Sequence, residues 1–163
     1  MSESKNYTNN LDCFLTRMKG SFVEKVTFFI DSRPTFDKAA TPFSFHYCFS
    51  IVFTTDKGNY SLRTAMTNSG IDTFWIEPVE SLESGGLIKS IQSNVIAVSC
   101  KNGYNDLAYR ICIRFEDSVI IIFAAEIYDS EDDNYDYKLN DEMLLAFDNE
   151  IEAEKFEAAA NYA

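Results

Sequence analysis

Apolar and polar residues alternate with a period of two over much of the chain. The clearest stretch runs from Phe43 to Phe53, where every odd-numbered position is apolar or aromatic and most even-numbered positions are polar. Successive side chains of a β-strand point to opposite faces, so this pattern predicts a strand with one face on a core. The Asp-Lys-Gly-Asn segment at 56–59 favours a turn, and Tyr60–Thr67 is predicted to return as the second strand of a hairpin.

A second hairpin is predicted in the C-terminal half of the chain. Leu107–Phe115 alternates, Glu116 and Asp117 turn the chain, and Ser118–Tyr128 returns. The segment 119–125 is continuously apolar, which is typical of a central strand that is covered on both faces. Four weaker strand patterns are Val23–Ile30, Thr73–Glu77, Asn94–Cys100 and Met143–Phe147.

Helical patterns occur near both ends of the sequence. Asn10–Lys19 is predicted to form a short helix that ends at Gly20. Asn149–Tyr162 is predicted to form a second helix, with Asn149 as its N-cap and acidic residues in its first turn. Its apolar stripe consists only of Ile151 and Phe156, so we expect this helix to pack weakly or to lie at an edge.

These elements predict an α+β fold. We expect a mainly antiparallel, curved or barrel-like sheet of about six to eight strands, with a short N-terminal helix and a C-terminal helix. Residues 1–10 are predicted to be a flexible N-terminus and residues 11–163 a single domain. The predicted core includes Phe45, Phe49, Ile51, Ile111, Ile113 and Ile121.

Charge is distributed very unevenly along the chain. Residues 116–163, the acidic C-terminal third, contain 15 acidic and two basic residues, a net charge of −13. Residues 1–115 contain 11 acidic and 12 basic residues, a net charge of +1. A local field of one sign attracts partners of the other sign, so a basic protein is the expected partner. Direct binding to nucleic acid is disfavoured because phosphates require Lys and Arg, and a merely solubilising acidic face is the alternative.

The sequence favours a cytoplasmic protein with reduced thiols. No apolar run approaches the roughly 18 residues of a membrane-spanning helix, and the polar N-terminus lacks the pattern of a secretory signal. The four cysteines are far apart and include no C-x-x-C pair, so neither a structural zinc site nor any cofactor is predicted.

Catalytic chemistry has one weak candidate. His46 is the single histidine, and Cys48 lies two residues later on the same predicted strand face. A thiolate–imidazole pair can form a nucleophile, which makes a small hydrolase the enzymatic alternative. Neighbouring positions on one strand seldom provide the third, orienting group, so we assign no catalytic residue and expect a non-catalytic protein.

The acidic segment after Tyr128 could also be interpreted as a calcium loop. Asp129, Glu131 and Asp133 would supply oxygen ligands at alternate positions. A helix–loop–helix calcium site needs Gly at its sixth position and Glu at its twelfth, where this chain has Asn134 and Asn140. We therefore predict no dedicated metal site, and a solvated acidic loop is the simpler interpretation.

Tyrosines interleaved with the acids favour a protein-binding surface. Exposed carboxylates steer a basic partner, while tyrosine rings supply contact area, with Tyr135 and Tyr137 as the candidate anchors. The predicted partner-binding residues are Tyr128, Asp129, Glu131, Asp132, Asp133, Tyr135, Asp136, Tyr137, Asp141 and Glu142.

The chain resembles the small acidic immunity proteins that bacteria carry beside secreted or contact-delivered toxins. The resemblance lies in its size, its strand-rich front and the block EIYDSEDDNYDYKLNDEMLLAFDNEIEAEKF at residues 126–156. It implies stoichiometric occlusion of a basic toxin domain, often a nuclease, without chemistry by this chain. Another interaction module, either a nucleic-acid mimic or a small-ligand-binding barrel, is the alternative.

Overall fold

The computed structural model describes residues 3–32, 34, 36, 41–81, 84–129 and 135–162. Within them, helix α1 (Glu3–Met18) lies near the start of the chain and helix α2 (Glu150–Ala159) near its end. The strands of the described residues are β1 (Phe22–Ile30), β2 (His46–Thr55), β3 (Gly58–Met66), β4 (Asp72–Val79), β5 (Leu87–Asn102), β6 (Ala108–Phe115), β7 (Val119–Asp129), β8 (Tyr135–Leu139), β9 (Met143–Phe147) and β10 (Asn161–Tyr162). The predicted α+β class, with its mainly antiparallel sheet and two terminal helices, is confirmed.

Six strands of the sheet form a ring, in the order β1, β2, β9, β7, β6 and β5, and all six of these pairings are antiparallel. Strands β3 and β4 extend the sheet from β2, whereas β8 and the two-residue β10 extend it from β7. Strand β10 runs parallel to β8. The described residues form ten strands, more than the expected six to eight, because β8 lies in the segment predicted as an acidic loop and β10 in the segment predicted as helix.

Helix α1 covers a first core inside the ring. Leu11, Phe14, Leu15 and Met18 recur at helical spacing and are buried together with side chains from all six ring strands. The structure places residues 3–10 within α1, where the sequence predicted a flexible N-terminus. The Asn10 carboxamide exchanges two hydrogen bonds with the main chain of Ile76, of 2.9 and 3.0 Å, and so pairs with β4 at the edge of the sheet.

Helix α2 covers a second core on the outer face of the ring. Asn149 is its N-cap, as predicted, and its Oδ1 accepts a hydrogen bond of 3.0 Å from the Glu152 main-chain N–H. The expectation that α2 packs weakly or lies at an edge was wrong, because Ala153 and Phe156 are completely buried in the second core. The stripe that faces the sheet contains these two residues, while Ile151 is 68% exposed. Strand β7 contributes alternate residues to both cores, which confirms that it is covered on both faces.

A β-bulge at Phe49 overturns part of the predicted core. Ile30 pairs with Cys48 and the adjacent Phe29 pairs with Ser50, so Phe49 is an extra residue in β2. The bulge changes which face the alternate residues occupy: Phe45 and Tyr47 enter the second core, whereas Ile51 and Phe53 enter the first. Phe49 itself is 50% exposed, while the other five predicted core residues are buried.

Replacing Phe49 by Ala should therefore have a small effect on stability. A half-exposed ring loses only part of its buried area, so we expect the free energy of unfolding to fall by less than about 1.5 kcal/mol. Chemical denaturation of the variant measures this directly. A loss of about 3 kcal/mol or more, which is typical of a fully buried Phe, would contradict the position of this side chain.

Candidate functional site

Strands β7 and β8 form a hairpin that presents part of the predicted binding residues. Tyr128 lies directly opposite Asp136, and Asp129 lies opposite Tyr135. Asp129 and Asp136 are exposed, and Tyr128 is 42% exposed. The predicted site residues Glu131, Asp132 and Asp133 lie outside the described residues.

The two candidate anchor tyrosines occupy different environments. Tyr137 is only 7% exposed, and its ring packs edge-on against Phe43 at 5.3 Å and Phe156 at 5.4 Å. The prediction that Tyr137 is an exposed anchor was wrong, because strand alternation places it in the second core beside Leu139. Tyr135 is half-buried, with its ring 6.3 Å from that of Phe36.

The turn between β8 and β9 brings two more predicted residues next to this hairpin. Asn140 adopts a left-handed conformation (φ 56°), and its buried Nδ2 donates to the carbonyls of Asp72 and Ala108, which holds the turn against the sheet. Asp141 accepts a hydrogen bond of 2.8 Å from the Tyr128 hydroxyl. Glu142 is exposed, and its carbonyl accepts a hydrogen bond from the Thr64 hydroxyl.

We name the exposed and half-buried members of this group the acidic surface. It consists of Tyr128, Asp129, Tyr135, Asp136, Asp141 and Glu142. Lys138 is the single basic residue of the segment 126–142, which also contains eight acids and so has a net charge of −7. The Lys138 ammonium lies 5.5 Å from the centre of the Tyr128 ring.

Two buried carboxyl groups beside the acidic surface were missed by the sequence analysis. Glu126 accepts hydrogen bonds from the Tyr47 hydroxyl and from the Ile127 main-chain N–H, and burial raises its pKa. Asp72 is 7% exposed, and burial, followed by the negative charges of Asp141 and Glu142, raises its pKa from 3.8 to about 6. Neither residue carries a sequence signal of burial, since each is a single acid in or beside a strand pattern.

Three of the four acids of α2, Glu150, Glu154 and Glu157, pair with basic side chains of the sheet. Arg110 binds both Glu154, at 3.0 Å, and Glu157, and Lys101 binds Glu157 at 3.2 Å. Burial would raise the pKa of Glu157, but hydrogen bonds from Arg110, Tyr109 and Lys101 outweigh it and lower the pKa. Two further pairs are Arg114 with Glu150 and Lys89 with Asp148, the second at 3.7 Å. Four acids of the acidic C-terminal third are therefore paired with cations of the first 115 residues.

The catalytic and metal alternatives concern different parts of the fold. The His46 ring lies 5.0 Å from the Phe28 ring, and Cys48 is completely buried in the first core. Of the proposed calcium ligands, Glu131 and Asp133 lie outside the described residues. Among the residues that the structure describes, no group of three or more His, Cys, Asp or Glu side chains could hold a metal ion. Among the described helices, neither α1 nor α2 has the length and apolar content that spanning a membrane would require.

Comparison of this chain with protein-family models, with curated proteins and with solved structures found no match. The geometry and charge of the chain itself are therefore the basis for assigning a function.

Proposed function

We propose that this protein is a non-catalytic inhibitor that binds a basic protein partner through the acidic surface, in the manner of an immunity protein that occludes a toxin domain. Asp129, Asp136 and Glu142 would steer the partner, and Tyr128 would supply contact area. This assignment replaces Tyr137 by Tyr128 as an anchor, because Tyr128 is the more exposed ring. We further propose that the protein acts in the cytoplasm, which its four free cysteines support.

The observation that supports this proposal most is the unequal pairing of the acids. Ion pairs with the sheet occupy Asp148, Glu150, Glu154 and Glu157. Among the described residues, no Lys or Arg forms an ion pair with an acid of the acidic surface. The raised pKa values of Asp72 and Glu126 share their causes, because both carboxyl groups are partly desolvated and lie near the negative charges of Asp141 and Glu142. A Lys or Arg from a partner would relieve this repulsion.

A nucleic-acid mimic is the other interaction module that an acidic chain could be. Such a mimic spreads negative charge along an extended face, as a phosphate backbone does. Here the ion pairs of α2 with the sheet offset much of its charge, whereas four acids that form no ion pair with any described residue, Asp129, Asp136, Asp141 and Glu142, lie together at the β7–β8 hairpin and the following turn. This concentration of charge favours a compact contact with a protein.

Charge reversal of Asp129 and Asp136 to Lys should weaken protection against a basic toxin. The test coexpresses this chain with the product of the reading frame next to its gene, and measures growth and the association rate of the two purified proteins. We expect the double variant to associate about tenfold more slowly at low salt and with a weaker salt dependence, because exposed charges act mainly on the on-rate.

The matched control is the double variant of Glu116 and Asp117 to Lys. These two exposed acids lie in the turn before β7, at the opposite end of that strand, and their reversal changes the net charge by the same amount. We expect this control to associate at nearly the unmodified rate. Equal slowing by both double variants would show that net charge, and not the acidic surface, controls binding. A neighbouring product that neither arrests growth nor binds this chain would count against the inhibitor proposal.

A further inference from the structure

A cleft on the outer face of β1–β4 lies outside the acidic surface. It offers about 60 Å³ of free space, and its apolar walls include Phe29, Phe49, Val52 and Val79. Ser50 and Ser61 also line it, with their hydroxyl oxygens hydrogen-bonded to each other at 3.2 Å. Among the residues that line the cleft, Arg63 carries a charge, and its side chain is exposed. The cleft therefore combines apolar walls, hydroxyl groups and one cation.

The bulge in β2 creates the exposed wall of this cleft. Regular alternation would point the Phe49 side chain towards a core, but the extra residue leaves its ring half-exposed. The centre of this ring lies 6.2 Å from the centre of the buried Phe29 ring. Bulges commonly re-aim a side chain next to a functional site. A half-exposed aromatic ring beside an open cleft offers a surface on which an apolar group can pack.

Arg63 is available to an anion. Lys89, Lys101, Arg110 and Arg114 are held by carboxylates, whereas Arg63, like Lys25 and Lys138 of the sheet, forms no ion pair with any acid among the described residues. The carboxylate of Glu77, on the neighbouring strand, instead accepts a hydrogen bond of 3.0 Å from the Trp75 indole. An unpaired guanidinium binds a carboxylate through two parallel hydrogen bonds.

We propose that this cleft binds a small molecule that carries one apolar ring and a carboxylate. The ring packs against Phe49 and Val52, and the carboxylate binds Arg63. With about 60 Å³ of free space the cleft is shallow, so the ligand is limited to a single ring that rests against the half-exposed Phe49 and a short chain that reaches Arg63. The site uses none of the acidic surface residues, so it is independent of the proposed inhibitor function.

Titration with 3-phenylpropionate tests this site. Trp75 is the only tryptophan and lies directly opposite Arg63 on β4, so its fluorescence reports on the cleft, and amide shifts in a ¹H–¹⁵N spectrum locate the contact independently. We expect saturable binding of the acid, with shifts at Phe49, Ser61 and Arg63. The matched probes are 3-phenylpropanol and 3-phenylpropylamine, which keep the ring but remove or reverse the charge. We expect both to bind more weakly than the acid.

The order of these probes separates a specific site from general electrostatics. A chain of net charge −12 attracts the amine and repels the acid unless a local cation decides the preference. Amine binding that equals or exceeds acid binding would therefore overturn the proposal. So would the absence of any saturable change in both fluorescence and amide shifts up to about 10 mM acid.

Variants of Arg63 and Phe49 test which residue binds the carboxylate and which binds the ring. Arg63→Gln should lower the affinity for the acid about fivefold to tenfold and leave the affinity for the alcohol unchanged. Phe49→Ala should instead lower the affinity for both probes. Lys155→Gln, which removes an exposed cation from α2, is the control and should change neither. Circular dichroism checks the folding of each variant, and Arg63→Lys replaces Arg63→Gln if that variant does not fold. Acid affinity that is the same in the Arg63 and Phe49 variants as in the control would overturn the proposal.

Discussion

Replacing Phe156 by Ala should destabilise the protein by about 3–5 kcal/mol, the range for removing a fully buried Phe side chain. The Phe156 ring is completely buried and lies within 5.0–5.6 Å of the rings of Phe43, Phe123, Tyr137 and Phe147. For a chain of this length, such a loss should lower Tm by about 10 °C. Thermal and chemical denaturation measure both quantities.

Ile151→Ala on the same helix provides the matched control. Ile151 is an apolar residue of α2 that is 68% exposed, so its truncation should change the free energy of unfolding by less than about 0.5 kcal/mol. If the two variants lost equal stability, α2 would not be docked through Phe156. The ion pairs of Arg110 with Glu154 and Glu157 would then be its main attachment to the sheet.

Replacing Asp72 by Asn should stabilise the protein at neutral pH, by up to about 3 kcal/mol. The pKa of Asp72 is raised from 3.8 to about 6 by burial and by the charges of Asp141 and Glu142, so its ionised form is disfavoured in the folded state. The stabilising contribution of the protonated group is complete below pH 4 and is lost as the pH rises towards 6. A shift of about two pKa units corresponds to about 3 kcal/mol, and Asn mimics the neutral acid at every pH.

Chemical denaturation at pH 7.5 and pH 5.0 tests this sign and magnitude. The advantage of Asp72→Asn over the unmodified protein should shrink to about half at pH 5.0, because the folded carboxyl group is then largely protonated. The same substitution at the exposed Asp117 is the control and should change stability little. A destabilising Asp72→Asn at pH 7.5 would mean that the buried carboxylate makes a stabilising interaction that outweighs its desolvation.

The Asp72 variant also bears on the proposed partner. If a Lys or Arg of the partner compensates the charge of Asp72, Asp72→Asn should weaken the complex while it stabilises the free chain. Opposite effects on folding and binding are typical of residues whose charge is kept for a function at the expense of stability. The complex with the neighbouring gene product would provide this second measurement.

Prediction from sequence succeeded where one residue pattern was sufficient. The strands at Leu107–Phe115 and Ser118–Tyr128, the N-cap at Asn149 and the α+β class all follow from alternation and capping rules that act over a few residues. The prediction failed at Phe49, because a bulge inserts one residue and reverses every face assignment beyond it. It also failed at Tyr137, since a run of acids concealed a short strand with one buried face.

By itself, the sequence determined the order and type of most elements and the excess of negative charge in the last 48 residues. Only the tertiary structure decided which of those charges remain unpaired, because the partners of Glu154 and Glu157 lie more than 40 residues earlier, on β5 and β6. The burial of Asp72 likewise depends on β4 meeting the turn that follows β8. Local patterns specify which residues share a face, whereas long-range packing determines what covers that face and which charges meet.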